Sequence, residues 1–155
     1  GDGRVGLTLC PGRGDRGRDL NADLDALVAQ ETKHVVALLS SKEMDWAGVG
    51  GLREAVEGRG MDFTHLPIPD QSVPSLDEAR KLVQTIRSWQ LAGENVVVHC
   101  MGGLGRSGLL ASCVLVDGGL SAEDAIREVR EARDPRAVET RDQEDFVGRY
   151  ARAEG

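Results

Sequence analysis

Asn95-Val96-Val97-Val98-His99-Cys100-Met101-Gly102-Gly103-Leu104-Gly105-Arg106-Ser107 decides how this chain is read. Residues 95–98 form a short β-branched run of the kind buried on both faces of a sheet. Beyond the glycines, Leu109, Leu110, Cys113 and Val114 recur at helical spacing. A glycine-rich loop therefore joins a strand's carboxyl end to a helix's amino end, with a thiol at one side and a guanidinium at the other.

Outward from this loop the chain alternates strand and helix. Val5 to Leu9, His34 to Leu39 and Met61 to His65 read as further strands. Leu20, Leu24, Leu27 and Val28 mark the inner face of one helix. Helical pieces broken by Gly48, Gly50 and Gly51 lie between Ser41 and Gly60. Ser75-x-x-Glu78 is a capping box for a helix with Leu76, Ala79, Leu82, Val83 and Ile86 inward, ended by Gly93. Ser121 opens another carrying Ala125, Ile126 and Val129, and Phe146, Val147 and Tyr150 mark the last. The expected fold is α/β, a central and mainly parallel sheet flanked by helices on both faces, with residues 1–155 as one domain and the loop at the sheet's carboxyl edge.

A loop leading into a helix offers N–H groups with no intrahelical partner, and the helix dipole favours an anion there. Gly102, Gly103 and Gly105 can take positive φ, so the amides of Met101, Gly102, Gly103, Leu104, Gly105 and Arg106 are expected to converge into an anion nest. Arg106 adds a planar fork matched to two phosphate oxygens. The same positive field favours the thiolate of Cys100, which is expected to attack phosphorus and form a cysteinyl-phosphate. His99, turned away by strand alternation, is assigned to supporting the loop. Ser107 is placed to donate to the sulfur; its alternative is an ordinary helix-start serine. Cys100 as an inert core thiol is the bland alternative, and the adjoining glycines and arginine argue against it. Gly105-Arg106-Ser107 does not fit the nucleotide P-loop, which needs Lys before Ser or Thr.

A departing alkoxide or phenoxide needs a proton. Asp70 is the candidate acid, in the proline-stiffened run Leu66-Pro67-Ile68-Pro69-Asp70-Gln71-Ser72-Val73-Pro74. Its alternative is a simple turn aspartate.

Together these residues resemble the cysteine-dependent protein phosphatases, and more closely the kinase-associated branch of the dual-specificity group. The segments that carry the likeness are Gly6-Leu7-Thr8-Leu9-Cys10-Pro11-Gly12, Pro67-Ile68-Pro69-Asp70, the Cys100–Ser107 loop and Ala137-Val138-Glu139-Thr140-Arg141-Asp142-Gln143. The resemblance implies Cys100 as nucleophile, Arg106 as phosphate clamp, Asp70 as acid and then base, and Ser107 as helper in freeing the cysteine. Gln143 matches a glutamine that orients the hydrolytic water in many relatives, while Thr140-x-x-Gln143 also reads locally as a capping box. The family usually carries glutamine where this chain has Glu139.

Nineteen basic and twenty-six acidic residues give a net charge of −7, which disfavours nucleic acid and anionic membranes as partners. Three scattered cysteines and three histidines suggest a reduced compartment and neither a disulfide framework nor a metal site. Cys10 and Cys113 are treated as core residues. No apolar run approaches the roughly twenty residues that cross a bilayer, so a soluble, cytoplasmic, monomeric protein without a cofactor is expected. Pro11 to Arg18 reads as a solvated loop or a basic lip, and Arg127 to Arg136 as an exposed helix face plus a turn.

The expected substrate is a phosphorylated protein or peptide, carrying phosphotyrosine, phosphoserine or phosphothreonine. Arg106 is the sole cation within the loop, which argues against a polyphosphorylated lipid; a phosphoinositide or small phosphoester is the alternative. A rhodanese-type sulfurtransferase and an inactive phosphate-binding module are the remaining readings.

Overall fold

Four apolar runs become the strands of a single parallel sheet in the computed structural model, which describes residues 2–154. These are β1 (Val5–Thr8), β2 (Thr32–Ala37), β3 (Asp62–His65) and β4 (Asn95–His99), in the spatial order β1-β4-β2-β3. Thr8 and Ala37 both register with His99, so β4 is an inner strand. Its carboxyl end, and the loop it feeds, are held from both sides.

Alternation along the strands divides the core in two. Val36, Val96 and Val98 point to one face, under α4 (Leu76–Leu91), α5 (Gly105–Asp117), α6 (Ala122–Ala132) and α7 (Arg141–Glu154). Val35, Ala37 and Val97 point to the other, under α1 (Leu20–Ala29), α2 (Ser41–Trp46) and α3 (Leu52–Glu57). Burial of Leu82, Val83 and Ile86 on α4 contributes about 1.5–3 kcal/mol per side chain. Helix α5 packs against α4, α6 and α7 and is buried around most of its circumference, as its apolar character demands.

Helix starts follow the polar signals. Ser75 and Glu78 form the reciprocal box at α4, and Ser40 and Glu43 form a second one at α2. Asp19 and Ser121 cap α1 and α6. Gly93, with φ of 83°, turns the chain out of α4.

Two readings need correction. Val28, placed on the inner face of α1, is 44% exposed, because this ten-residue helix turns Leu24 and Leu27 into the core, with Leu20 packed at its edge, and leaves Val28 on the flank. Of the three loop glycines expected to supply positive φ, only Gly103 does so, at 72°. A Cβ on Gly102 would meet nothing within 4 Å, whereas one on Gly105 would lie 2.5 Å from Glu139 Oε1. The space beside Gly105 is thus filled by the ends of the Glu139 and Gln143 side chains, and its backbone angle is not what selects glycine.

The segment after β1 contains a short 3₁₀ turn at Gly14–Arg16. Arg13 and Arg16 share Asp15, and Arg18 pairs with Asp23, so two carboxylates offset most of the positive charge of its three arginines; this favours the solvated loop over the basic lip. No helix among the described residues is long and apolar enough to cross a membrane.

Candidate active site

The loop carbonyls reveal which way its amides face. Met101 O accepts from Cys10 N–H at 2.9 Å, and Gly102 O accepts from Arg133 Nη2 at 3.0 Å. Leu104 O accepts from the amides of Gly108 and Val138, at 3.1 and 3.0 Å. In a planar trans peptide the C=O and the following N–H point in opposite directions. With their carbonyls bound to partners around the outside, these peptides turn the N–H groups of Gly102, Gly103 and Gly105 to the inner side of the curl. The amino end of α5 has no side-chain cap, so its first amides remain available to an anion.

Gly103 is what lets the curl close. A Cβ there would lie 2.3 Å from Thr8 O, against the end of β1, and its φ suits glycine.

Cys100 follows β4, is almost fully buried and belongs to the core layer under α4–α7. Ser107, on the first turn of α5, is fully buried, and its Oγ has no hydrogen-bond partner; the structure does not place it on the Cys100 sulfur. His99 is fully buried too. Its Nδ1 lies 3.4 Å from the Cys100 carbonyl oxygen and its Nε2 has no partner. Burial, reinforced by the neighbouring His65 and Arg106, drives its pKa down to about 4 although the Cys100 contact opposes this, so the imidazole is neutral at physiological pH.

Arg106 is the best-anchored side chain of the group. Its Nη1 donates to Glu43 Oε1 at 2.7 Å and to Ile68 O at 2.9 Å, and its Nη2 donates to Glu43 Oε2 at 2.8 Å. Burial works against both charges. The hydrogen bonds outweigh it, holding the Glu43 carboxyl below its ordinary range and Arg106 above its own, with the Cys100 and Asp70 charges reinforcing the latter.

Asp70 lies in a turn and at the site, so both readings of it apply. Ser72 N–H donates to Pro69 O, closing a turn in which Gln71 has a φ of 61°. The carboxylate is 67% exposed, and its Oδ1 lies 3.4 Å from Arg106 Nη2. Gln143 secures this turn: its Nε2 donates to Ser72 O at 3.3 Å, while its Oε1 accepts from the amides of Glu139 and Thr140. With Thr140 Oγ1 accepting from Gln143 N–H, the capping box is complete.

Two residues of the site escaped the sequence reading. Glu43 was legible only as the fourth member of Ser40-x-x-Glu43, a helix-start signal with no hint that its carboxylate crosses to Arg106. Arg133 falls in the Arg127 to Arg136 stretch that reads as an exposed helix face plus a turn, yet it reaches the phosphate loop, to which the packing of α6 on α5 brings it.

A thiol and a guanidinium thus lie at the two ends of a glycine-rich loop, with an exposed carboxylate 3.4 Å from the guanidinium. The family model described as "PTP-SAK: Swiss Army Knife protein, DSP-PTPase phosphatase domain" matches residues 14–147. The chain belongs to this family. The phosphatase domain is 26% identical over 150 residues to rat "Cyclin-dependent kinase inhibitor 3", covering 94% of this chain and 71% of the relative. It is 34% identical to Tk-PTP in its active form, with a TM-score of 0.81, covering 97% and 93% of the two chains. Kinase associated phosphatase, solved with its catalytic-site cysteine changed to serine, has a TM-score of 0.90 at 24% identity, covering 96% of this chain and 86% of that one; it shares the fold. The phosphatase is thus a phosphoric monoester hydrolase of the dual-specificity and tyrosine phosphatase type, not a sulfurtransferase.

Proposed function

We propose that this domain removes phosphate from phosphorylated protein side chains through a cysteinyl-phosphate on Cys100. The observation that carries the reading is the donor count on Arg106. Glu43 and the Ile68 carbonyl occupy both Nη1 hydrogens and one on Nη2, leaving Nε–H and the second Nη2–H as a two-pronged fork for phosphate. Asp70 Oδ1 lies 3.4 Å from Nη2, on an exposed carboxylate.

A phosphate dianion in the nest receives hydrogen bonds from the loop amides and from this fork, while the Cys100 thiolate lies below phosphorus on the side away from the ester oxygen. Attack forms the S–P bond as the P–O bond breaks, and charge on the equatorial oxygens is met by donors already in place. Asp70 supplies the proton to the leaving oxygen. In the second step Asp70 takes a proton from water, which attacks phosphorus; the S–P bond breaks, inorganic phosphate leaves and the thiolate returns, with Ser107 donating to the sulfur. Gln143 holds the Asp70 turn and the amino end of α7, and two of its polar atoms are engaged in doing so.

A protein substrate suits the setting of Asp70. The carboxylate stands exposed on a projecting turn, open to a side chain presented from a large partner. The expectation of a cytoplasmic, monomeric enzyme stays with this proposal. Release of phosphate from phosphotyrosyl, phosphoseryl and phosphothreonyl peptides, phosphoinositides and an aryl phosphate tests it, with wild type and Cys100→Ser compared. Peptide turnover abolished in the variant is the expected result. Turnover of phosphoinositides alone would overturn the protein-substrate reading, and turnover that survives in Cys100→Ser would overturn the mechanism.

A further inference from the structure

Of the outward-facing carbonyls of the phosphate loop, that of Gly102 is the one held by a side chain. Met101 O and Leu104 O are held by backbone amides, which no side-chain truncation removes. Gly102 O is held by Arg133 Nη2 at 3.0 Å, across a sequence separation of thirty-one residues. Arg133 lies just beyond α6, and its Nε is buried with no hydrogen-bond partner. Burying a guanidinium donor unpaired is unfavourable, so the side chain is drawn to this position by what its other nitrogen contacts.

The peptide that Arg133 grips is also the weakest link in the ring. It joins Gly102 to Gly103, and with no Cβ on either side, rotation of ψ at Gly102 and φ at Gly103 meets little steric resistance. Gly102 is exposed and its surroundings leave room. Such a rotation would exchange the two ends of the peptide dipole. The Gly103 N–H would leave the nest and the Gly102 carbonyl oxygen would point into it, setting a partial negative charge against the bound anion.

We propose that Arg133 is a positioning residue that locks the Gly102–Gly103 peptide in its anion-binding orientation. It acts through the loop and not on the substrate. This inference rests on the phosphatase reading of the site, because only an anion in the nest makes the peptide's direction matter. Arg133 thereby becomes a second cation of the site, contributed by a region remote from the signature.

The test is the inhibition constant of vanadate, measured with an aryl phosphate substrate, for wild type, Arg133→Ala and Arg133→Lys, alongside thermal unfolding. Losing a charge-assisted hydrogen bond that sets one nest donor is expected to weaken vanadate in Arg133→Ala by about tenfold or more, with kcat/KM falling in parallel. Arg133→Lys, which keeps a charge but reaches less far, is expected to lie between. Added guanidinium ion is expected to restore part of the affinity in Arg133→Ala. A purely structural role would lower the folded fraction, and so the apparent kcat, with the vanadate constant unchanged. Constants within twofold of wild type in both variants would therefore overturn the proposal, and if the alanine variant does not fold, the lysine variant alone decides on the same criterion. Failure of the wild type to bind vanadate or turn over any phosphoester would instead overturn the phosphatase reading.

Discussion

Glu43 grips Arg106 with both carboxylate oxygens, Oε1 to Nη1 at 2.7 Å and Oε2 to Nη2 at 2.8 Å, so one edge of the guanidinium is spent before any substrate arrives. This fixes which edge faces the nest. Glu43→Gln retains one acceptor but removes the charge, and is expected to lower kcat/KM by about ten- to a hundredfold as the fork loses its orientation. Because Glu43 is about one-fifth exposed, the stability loss should be roughly 2 kcal/mol, below that for a fully buried pair. Steady-state kinetics and denaturant unfolding check the two figures separately.

Asp70 is expected to act on the leaving group. Asp70→Asn should slow an alkyl phosphate by about a hundredfold or more, and an activated aryl phosphate, whose phenoxide departs without a proton, by far less. A plot of log kcat/KM against leaving-group pKa gives the answer. Equal slowing across the series would remove Asp70 from this role.

Gly102 and Gly103 should respond oppositely to alanine. A methyl on Gly102 enters open space and is expected to leave the fold stable, whereas one on Gly103 meets Thr8 O and a φ of 72°. Gly103→Ala should cost roughly 2 kcal/mol or more and weaken vanadate binding. Thermal unfolding of the two variants, with and without vanadate, makes the comparison.

His99 makes stability depend on pH. Its folded pKa of about 4 lies below the unfolded value, so the unfolded chain takes up a proton first as pH falls. The stabilisation is intact above the unfolded value of about 6.5 and is lost progressively as pH falls towards 4. Between pH 7 and pH 5 this amounts to about 2 kcal/mol, which should be missing from the pH dependence of His99→Asn. Urea unfolding at the two pH values supplies the measurement.

Cys10 should be a poor nucleophile. Burial, reinforced by the nearby Cys100, Asp15 and Glu43 charges and only partly countered by Arg13, pushes its thiol up to about 12. Cys113 is fully buried as well. One equivalent of iodoacetate is expected to label the folded protein at pH 7, at Cys100, with vanadate protecting it. Peptide mapping that finds the label on Cys10 would contradict this.

Much of the fold was legible because its signals are local. Three adjacent valines, two of which fall into one core layer and the third into the other, mark β4 as doubly covered. Ser75 and Glu78 mark a helix start through bonds made within four residues. Val28 was misplaced because periodicity describes a face, while how much of that face is covered depends on the partner layer.

The order Cys100, glycines, Arg106 by itself determined the loop, its place between strand and helix, and the kind of anion it would hold, since these follow from backbone freedom and charge within a few residues. Only the tertiary structure decided which edge of Arg106 is free, through Glu43 sixty-three positions away, and which side chain holds Gly102, through Arg133. The physical reason is range. A glycine's angles and a helix's first amides are properties of their own segment, whereas a hydrogen bond between residues far apart in sequence exists only after the packing of α2 and α6 has brought them within about 3 Å.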